Sequence, residues 1–147
     1  VIAWVAKLRR RVRSWGDLRL LVAMTVFVAS VPLLMKGPLP QALARVDLRR
    51  RRLARLSVGR EAEVRVYLGA LTRLGFWSFR DNCVVASLTR YVFSGAENKD
   101  SRLVFGVRSD PASGAPGRRH VWLLVDGLPF EESEDVAEYR ELYRHPR

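Results

Sequence analysis

His120-Val121-Trp122-Leu123-Leu124-Val125-Asp126-Gly127-Leu128-Pro129-Phe130-Glu131-Glu132 is the stretch that decides the fold. Its first six residues are β-branched, aromatic or aliphatic after the histidine, the composition of a largely buried strand. Asp126-Gly127 is a strong two-residue hairpin signal, because both central positions of the favoured turn need positive φ. Leu128 to Glu131 then returns as the partner strand. With a two-residue turn, Val125 faces Leu128, Trp122 faces Glu131 and Val121 faces Glu132. Glu131 therefore shares a face with His120 and lies diagonally next to it. A single bulge in the return strand would bring Glu132 there instead. Asp126 lies six residues from His120, roughly 20 Å along a strand, and cannot touch it.

Upstream, Arg102 to Val107 (RLVFGV) reads as a second strand, and residues 110–117 (DPASGAPG) as the loop between the two. Val84 to Phe93 reads as a helix that opens at Cys83, with Asp81 or Asn82 as its N-cap. Downstream, Ser133 is placed to cap a short final helix whose first turn holds Glu134 and Asp135, the sign the helix dipole prefers. A cysteine-bearing helix, a strand and then a hairpin make an α+β layout.

Residues 1–75 read as helical throughout. Residues 1–16 set Ile2, Val5, Leu8 and Val12 against Lys7, Arg9, Arg10, Arg11 and Arg13, a basic amphipathic pattern. Leu20 to Met35 is the most apolar run, 16 residues against the roughly 20 that span a bilayer. Pro32 and Lys36-Gly37-Pro38 are expected to end it. A buried helix is the favoured reading, with contact at a membrane as the alternative. Gln41 to Leu56 is helical in composition and carries Arg49-Arg50-Arg51-Arg52, which as consecutive helical residues cover every face. Glu61 to Leu74 is the clearest helix, with Val64, Tyr67, Leu68, Leu71 and Leu74 on one stripe and Gly75 at its end. Two regions follow: 1–75, helical and basic, and 76–147, the α+β part.

The chain has 147 residues and a formal charge of +11. Residues 1–60 hold 14 Lys and Arg against 2 Asp and Glu, and the remainder is close to neutral. The basicity therefore belongs to the helical region, which points to an acidic or anionic partner. Arginines without interleaved stacking aromatics make a poor signature for specific nucleic acid binding. One cysteine excludes an intramolecular disulfide, and two histidines make a structural zinc site improbable.

Three residues could do chemistry together. Cys83 opens a helix, where free N–H groups and the dipole favour the thiolate and could hold an oxyanion. His120 is placed to be its base. Glu131 or Glu132 would orient the imidazole. His145 shows no partner pattern and reads as a surface residue.

Asn82-Cys83-Val84-Val85-Ala86-Ser87-Leu88, Leu103-Val104-Phe105-Gly106-Val107-Arg108 and His120-Val121-Trp122-Leu123-Leu124-Val125-Asp126-Gly127 together resemble the transglutaminase-like (papain-like) cysteine peptidases of lasso-peptide biosynthesis. The resemblance is to their short stand-alone leader peptidases and covers about residues 76–140. It implies Cys83 as nucleophile, His120 as base and, by offset after the hairpin, Glu132 as the acid. This chain differs in having HVW where HAW is usual, a polar segment at 97–101, and Glu where Asp is frequent.

The implied reaction removes the leader from a lasso precursor peptide, with no cofactor and no metal. It also implies two partners, a small leader-binding recognition protein and the ATP-dependent cyclase that acts next. The expected docking element for a partner is Arg49, Arg50, Arg51 and Arg52. The expected location is the cytoplasm, with the inner face of the membrane as a possible contact of residues 20–35. The competing reading is a catalytically dead scaffold of the same fold that binds partner proteins, nucleic acid or membrane through its basic helices.

Overall fold

The structure, a computed structural model, describes residues 12–73, 82–93, 100–108, 117–132 and 135–146. Among the described residues, four helices precede a small antiparallel sheet, so the chain is α+β. The helices are α1 (Trp15–Leu34), α2 (Leu39–Leu53, extended by a 3-10 turn Ala54–Leu56), α3 (Glu61–Arg73) and α4 (Asn82–Phe93). The strands are β1 (Ser101–Val107), β2 (Arg119–Val125), β3 (Leu128–Pro129) and β4 (Arg140–His145), in the spatial order β3-β2-β1-β4.

The start of α1 revises the reading of 1–16 as one helix. Residues 1–11 lie outside the described residues, and Ser14 is extended and N-caps a new helix at Trp15. Its hydroxyl accepts from the Asp17 N–H while the Asp17 carboxylate accepts from the Ser14 N–H, a reciprocal capping box. The Ser14 hydroxyl, then the Arg13 and Ser14 amides and the Arg60 guanidinium, hold the Asp17 carboxyl below its ordinary range against the opposing effect of burial. Pro32 does not end the helix, which runs on to Leu34. Near the C-terminus a proline removes only one ladder bond, and packing of the last turn outweighs it: Val31 and Leu34 are both buried.

Leu20, Met24, Phe27, Val28 and Val31 of α1 enter one core with Leu43 and Val46 of α2, Val64, Tyr67 and Leu68 of α3, Leu88 and Val92 of α4, and Leu103, Val121, Leu123 and Val125 of the sheet. This core crosses residue 75 without a break. The opposite side of α1 is apolar too: Trp15, Val22, Val26 and Leu33 are exposed, at helical spacings of seven, four and seven. Of the described helices, α1 alone is long and apolar enough to cross a membrane.

The hairpin forms at Asp126-Gly127, with φ of 52° and 81°, and Val125 pairs with Leu128. Asp126 tolerates the left-handed region and its side chain accepts from the Asp100 N–H. The expected final helix is reduced to a 3-10 turn, Val136–Glu138, capped by Asp135; Ser133 lies outside the described residues.

The fourth strand, Arg140–His145, is missing from the sequence reading. It pairs with β1 at the sheet's edge, with a bulge between Phe105 and Gly106. Its charged sequence hides it from a hydrophobic pattern, as suits an edge strand. It also corrects the reading of His145 as a surface residue. The His145 imidazole Nε2 lies 2.9 Å from an Asp47 carboxylate oxygen, and the Tyr91 hydroxyl donates to the other oxygen at 2.8 Å. Burial and that bond to Asp47 push the Tyr91 hydroxyl up to about 12.

Candidate active site

The two faces of the sheet differ. Val121, Leu123 and Val125 point to the helices, with Leu103 and Phe105 beside them. His120, Trp122 and Val104 point to the other face, where Tyr139 closes a second, smaller cluster. The His120 ring is 5% exposed. It stacks on Trp122 at 6.0 Å and 17°, and meets Tyr139 at 5.2 Å. Trp122 can lie there because of Gly106, the cross-strand partner of His120. A Cβ at Gly106 would come within 2.8 Å of the Trp122 ring. One missing side chain thus makes room for the indole that walls in the imidazole.

Glu132 completes this pocket. Its Oε2 is 3.1 Å from His120 Nε2, with side-chain exposures of 9% and 5%. The pair is close but not aligned as a hydrogen bond. Glu131 does not serve His120. Its carboxylate contacts Arg65 of α3 through Oε1 and lies 3.4 Å from Arg90 of α4 through Oε2. The reason is backbone geometry: Glu131 has φ of 50°, the left-handed region. A regular return strand would put Glu131 on the His120 face and Glu132 on the helix face. The left-handed residue breaks that alternation, and the two carboxylates go to the opposite places.

The return strand cannot continue past Glu131 for a second reason. The Leu123 carbonyl accepts from the Phe130 N–H. Two residues earlier, the Val121 carbonyl points the same way, but its donor is the buried Ser87 hydroxyl, at 2.8 Å. Helix α4 therefore occupies the edge of β2 that a longer β3 would fill.

Ser87 shares a helical face with Cys83, one turn toward the N-terminus, about 6 Å along the axis. Cys83 is a free, partly exposed thiol in the first turn of α4, where backbone N–H groups lack intrahelical partners. Cys83 and His120 are each one step from the same Ser87–Val121 hydrogen bond, one along the helix and the other along the strand. Of the two expected caps, Asp81 lies outside the described residues and Asn82 is the first residue of the helix. Among the described residues, no group of three or more His, Cys, Asp or Glu could hold a metal ion.

The arginine run is split by the helix it sits on. Arg50 is turned inward, its guanidinium 4.1 Å from the centre of the Tyr91 ring, while Arg49, Arg51 and Arg52 are exposed. Successive helical residues point about 100° apart, so four in a row cannot all face one partner.

A model of the transglutaminase-like superfamily matches residues 21–144, and the chain belongs to that superfamily. The superfamily includes cysteine peptidases. The match begins inside α1 and ends inside β4, so it takes in the helices as well as the sheet. No curated protein and no solved structure matches the chain significantly.

Proposed function

We propose that this protein is a cysteine endopeptidase that removes the leader from a lasso precursor peptide, with Cys83 as nucleophile, His120 as base and Glu132 as the group that orients the imidazole. The observation that carries the reading is the buried contact of Glu132 with His120 Nε2, on a strand bonded at its next residue to the cysteine-bearing helix. With Nε2 facing the carboxylate, Nδ1 is the nitrogen left for the thiol. The two would meet beside the edge of β2 that the N-terminal half of α4 covers.

The Cys83 thiolate attacks the scissile carbonyl carbon, and first-turn N–H groups of α4 stabilise the oxyanion. Collapse of the adduct breaks the C–N bond, and His120 delivers its proton to the departing core amine. The leader remains as a thioester on sulfur until water, deprotonated by His120, hydrolyses it. No metal or cofactor takes part in this scheme.

The test is mass spectrometry of the precursor peptide incubated with the protein and its leader-binding partner. Wild type should release leader and core, and Cys83→Ala should leave the peptide whole. An intact precursor with wild type and partner both present would end the peptidase reading.

The same reading gives the helical region its task, which is to dock the separate leader-binding protein ahead of the cyclase, in the cytoplasm. A groove of about 440 Å³ between α1 and α2 is lined by Trp15, Leu18, Arg19, Val22, Val26 and Arg49 among others. Its floor is apolar and its walls carry arginines, so it suits an acidic segment with apolar anchors. Changing Arg49, Arg51 and Arg52 together to Ala should abolish capture of the leader-binding protein in a pull-down. Undiminished capture would remove the assignment, and salt-sensitive binding to anionic vesicles without the partner would transfer the surface to the membrane.

A further inference from the structure

We infer that Glu131 is a positioning residue, an ionic latch to Arg65 and Arg90 that keeps Glu132 against His120 and ties the return segment to the cysteine-bearing helix. For its activity readout alone the inference rests on the peptidase reading.

Glu131 holds φ of 50°, a conformation that glycine or asparagine adopts more easily than glutamate. Something must favour glutamate here, and both its oxygens have a guanidinium to face. Arg65 comes from α3 and Arg90 from α4, so one carboxylate joins three parts of the fold. The buried Arg90 Nε makes no aligned hydrogen bond, and the Glu131 carboxylate at 3.4 Å supplies its opposite charge. Arg90 is half-buried, with its Nε shielded from solvent, so losing the Glu131 charge would leave a desolvated donor without a counter-charge.

The consequence falls on the neighbouring residue. With Glu131 drawn to the helix side, the chain leaves it with Glu132 on the other side, where the His120 ring lies. If residue 131 were released to extended backbone, the alternation of a strand would turn Glu132 away from the imidazole. The latch therefore decides which of two adjacent carboxylates serves the histidine. Because Arg90 shares α4 with Cys83, the same contact also fixes the helix relative to the acid-bearing segment.

Two substitutions separate the latch from the backbone. Glu131→Gln keeps the shape and removes the charge. Glu131→Gly accepts φ of 50° readily and removes the side chain. Ring nitrogen–proton correlation spectra report which nitrogen of His120 carries the proton, and the chain has only one other histidine, so the signals are readily assigned. Both variants should shift the His120 ring signals from their wild-type positions as Glu132 leaves the imidazole. Both should also slow precursor cleavage by roughly tenfold to hundredfold, the scale expected when a catalytic constellation is displaced by about 1 Å.

Arg65→Ala, at a 69% exposed side chain, should move both readouts the same way by a smaller amount. Unchanged His120 ring signals in Glu131→Gly and Glu131→Gln would overturn the latch, as would cleavage within twofold of wild type. The spectra need no substrate. A wild type that cleaves nothing therefore sinks the peptidase reading, while the ring signals still decide the latch.

Discussion

The helix-side face of the sheet is aliphatic and deep, whereas the opposite face is aromatic, polar and thin. On the first, Val121, Leu123, Val125 and Leu103 join one core with buried side chains of all four described helices. On the second, His120, Trp122, Tyr139 and Glu132 share one small cluster whose only aliphatic residues are Val104 and its half-buried neighbours. Both faces belong to the same seven-residue strand, so alternate residues of β2 do different work. One set contributes most of the stability, because apolar burial scales with the area removed from water. The other set gives up some of that burial to hold an imidazole in a fixed place.

The comparison can be broken by substitutions that keep to one face. The largest stability effect is expected from Leu123→Ala, which leaves a cavity in the main core and should cost about 3 kcal/mol in chemical denaturation. His120 ring signals in the folded protein should stay as they are. Should Leu123→Ala instead displace the imidazole, the faces are coupled and the division fails.

A second expectation concerns the helix side alone. The Tyr91 hydroxyl ionises near 12 when folded and near 10 when unfolded, so the folded state keeps a proton that the unfolded state has lost. Its contribution is complete below pH 10 and disappears as pH rises through 12, about 3 kcal/mol in all. Melting followed from pH 9 to 12 should show this decline, and Tyr91→Phe should flatten it. An equally steep decline in Tyr91→Phe would place the alkaline sensitivity elsewhere.

The smallest stability change and the largest local one are expected from Gly106→Ala. The added methyl meets Trp122 ring atoms at 2.7 and 2.8 Å and the Arg140 carbonyl at 3.1 Å, so the indole must move. Overpacking of this kind costs about 1–2 kcal/mol. Tryptophan fluorescence and the His120 ring signals should both shift, with cleavage falling more than the melting point suggests. A variant with altered stability and an unmoved imidazole would show that Trp122 does not set the ring.

Much of this was legible along the chain. The Asp126-Gly127 turn set the register of the hairpin, because two adjacent residues that accept positive φ have few other uses between apolar runs. The helical stripe at Val64, Tyr67 and Leu68 is buried as its spacing implies. Beyond local pattern the reading ran out in identifiable places. Strand β4 has too many charged residues to look like a strand, and it is stabilised by pairing with β1 and by the His145–Asp47 contact, 98 residues apart in the chain. No local signal anticipates such a partner. The cost of Pro32 to its helix is local and visible in the sequence, whereas the burial that outweighs it is tertiary.

Glu131 and Glu132 show the division most sharply. The sequence alone determined that one of two neighbouring carboxylates would lie beside His120, since a two-residue turn and a period of two leave no other acid within reach. It could not determine which, because the choice depends on one backbone angle. That angle was decided by groups from elsewhere in the chain. Arg65 and Arg90 draw one carboxylate toward the helices, and Ser87 takes the carbonyl that a longer strand would have used. Local periodicity sets what is possible at a residue, and contacts between distant elements select among the possibilities because their combined free energy exceeds the small cost of a left-handed glutamate.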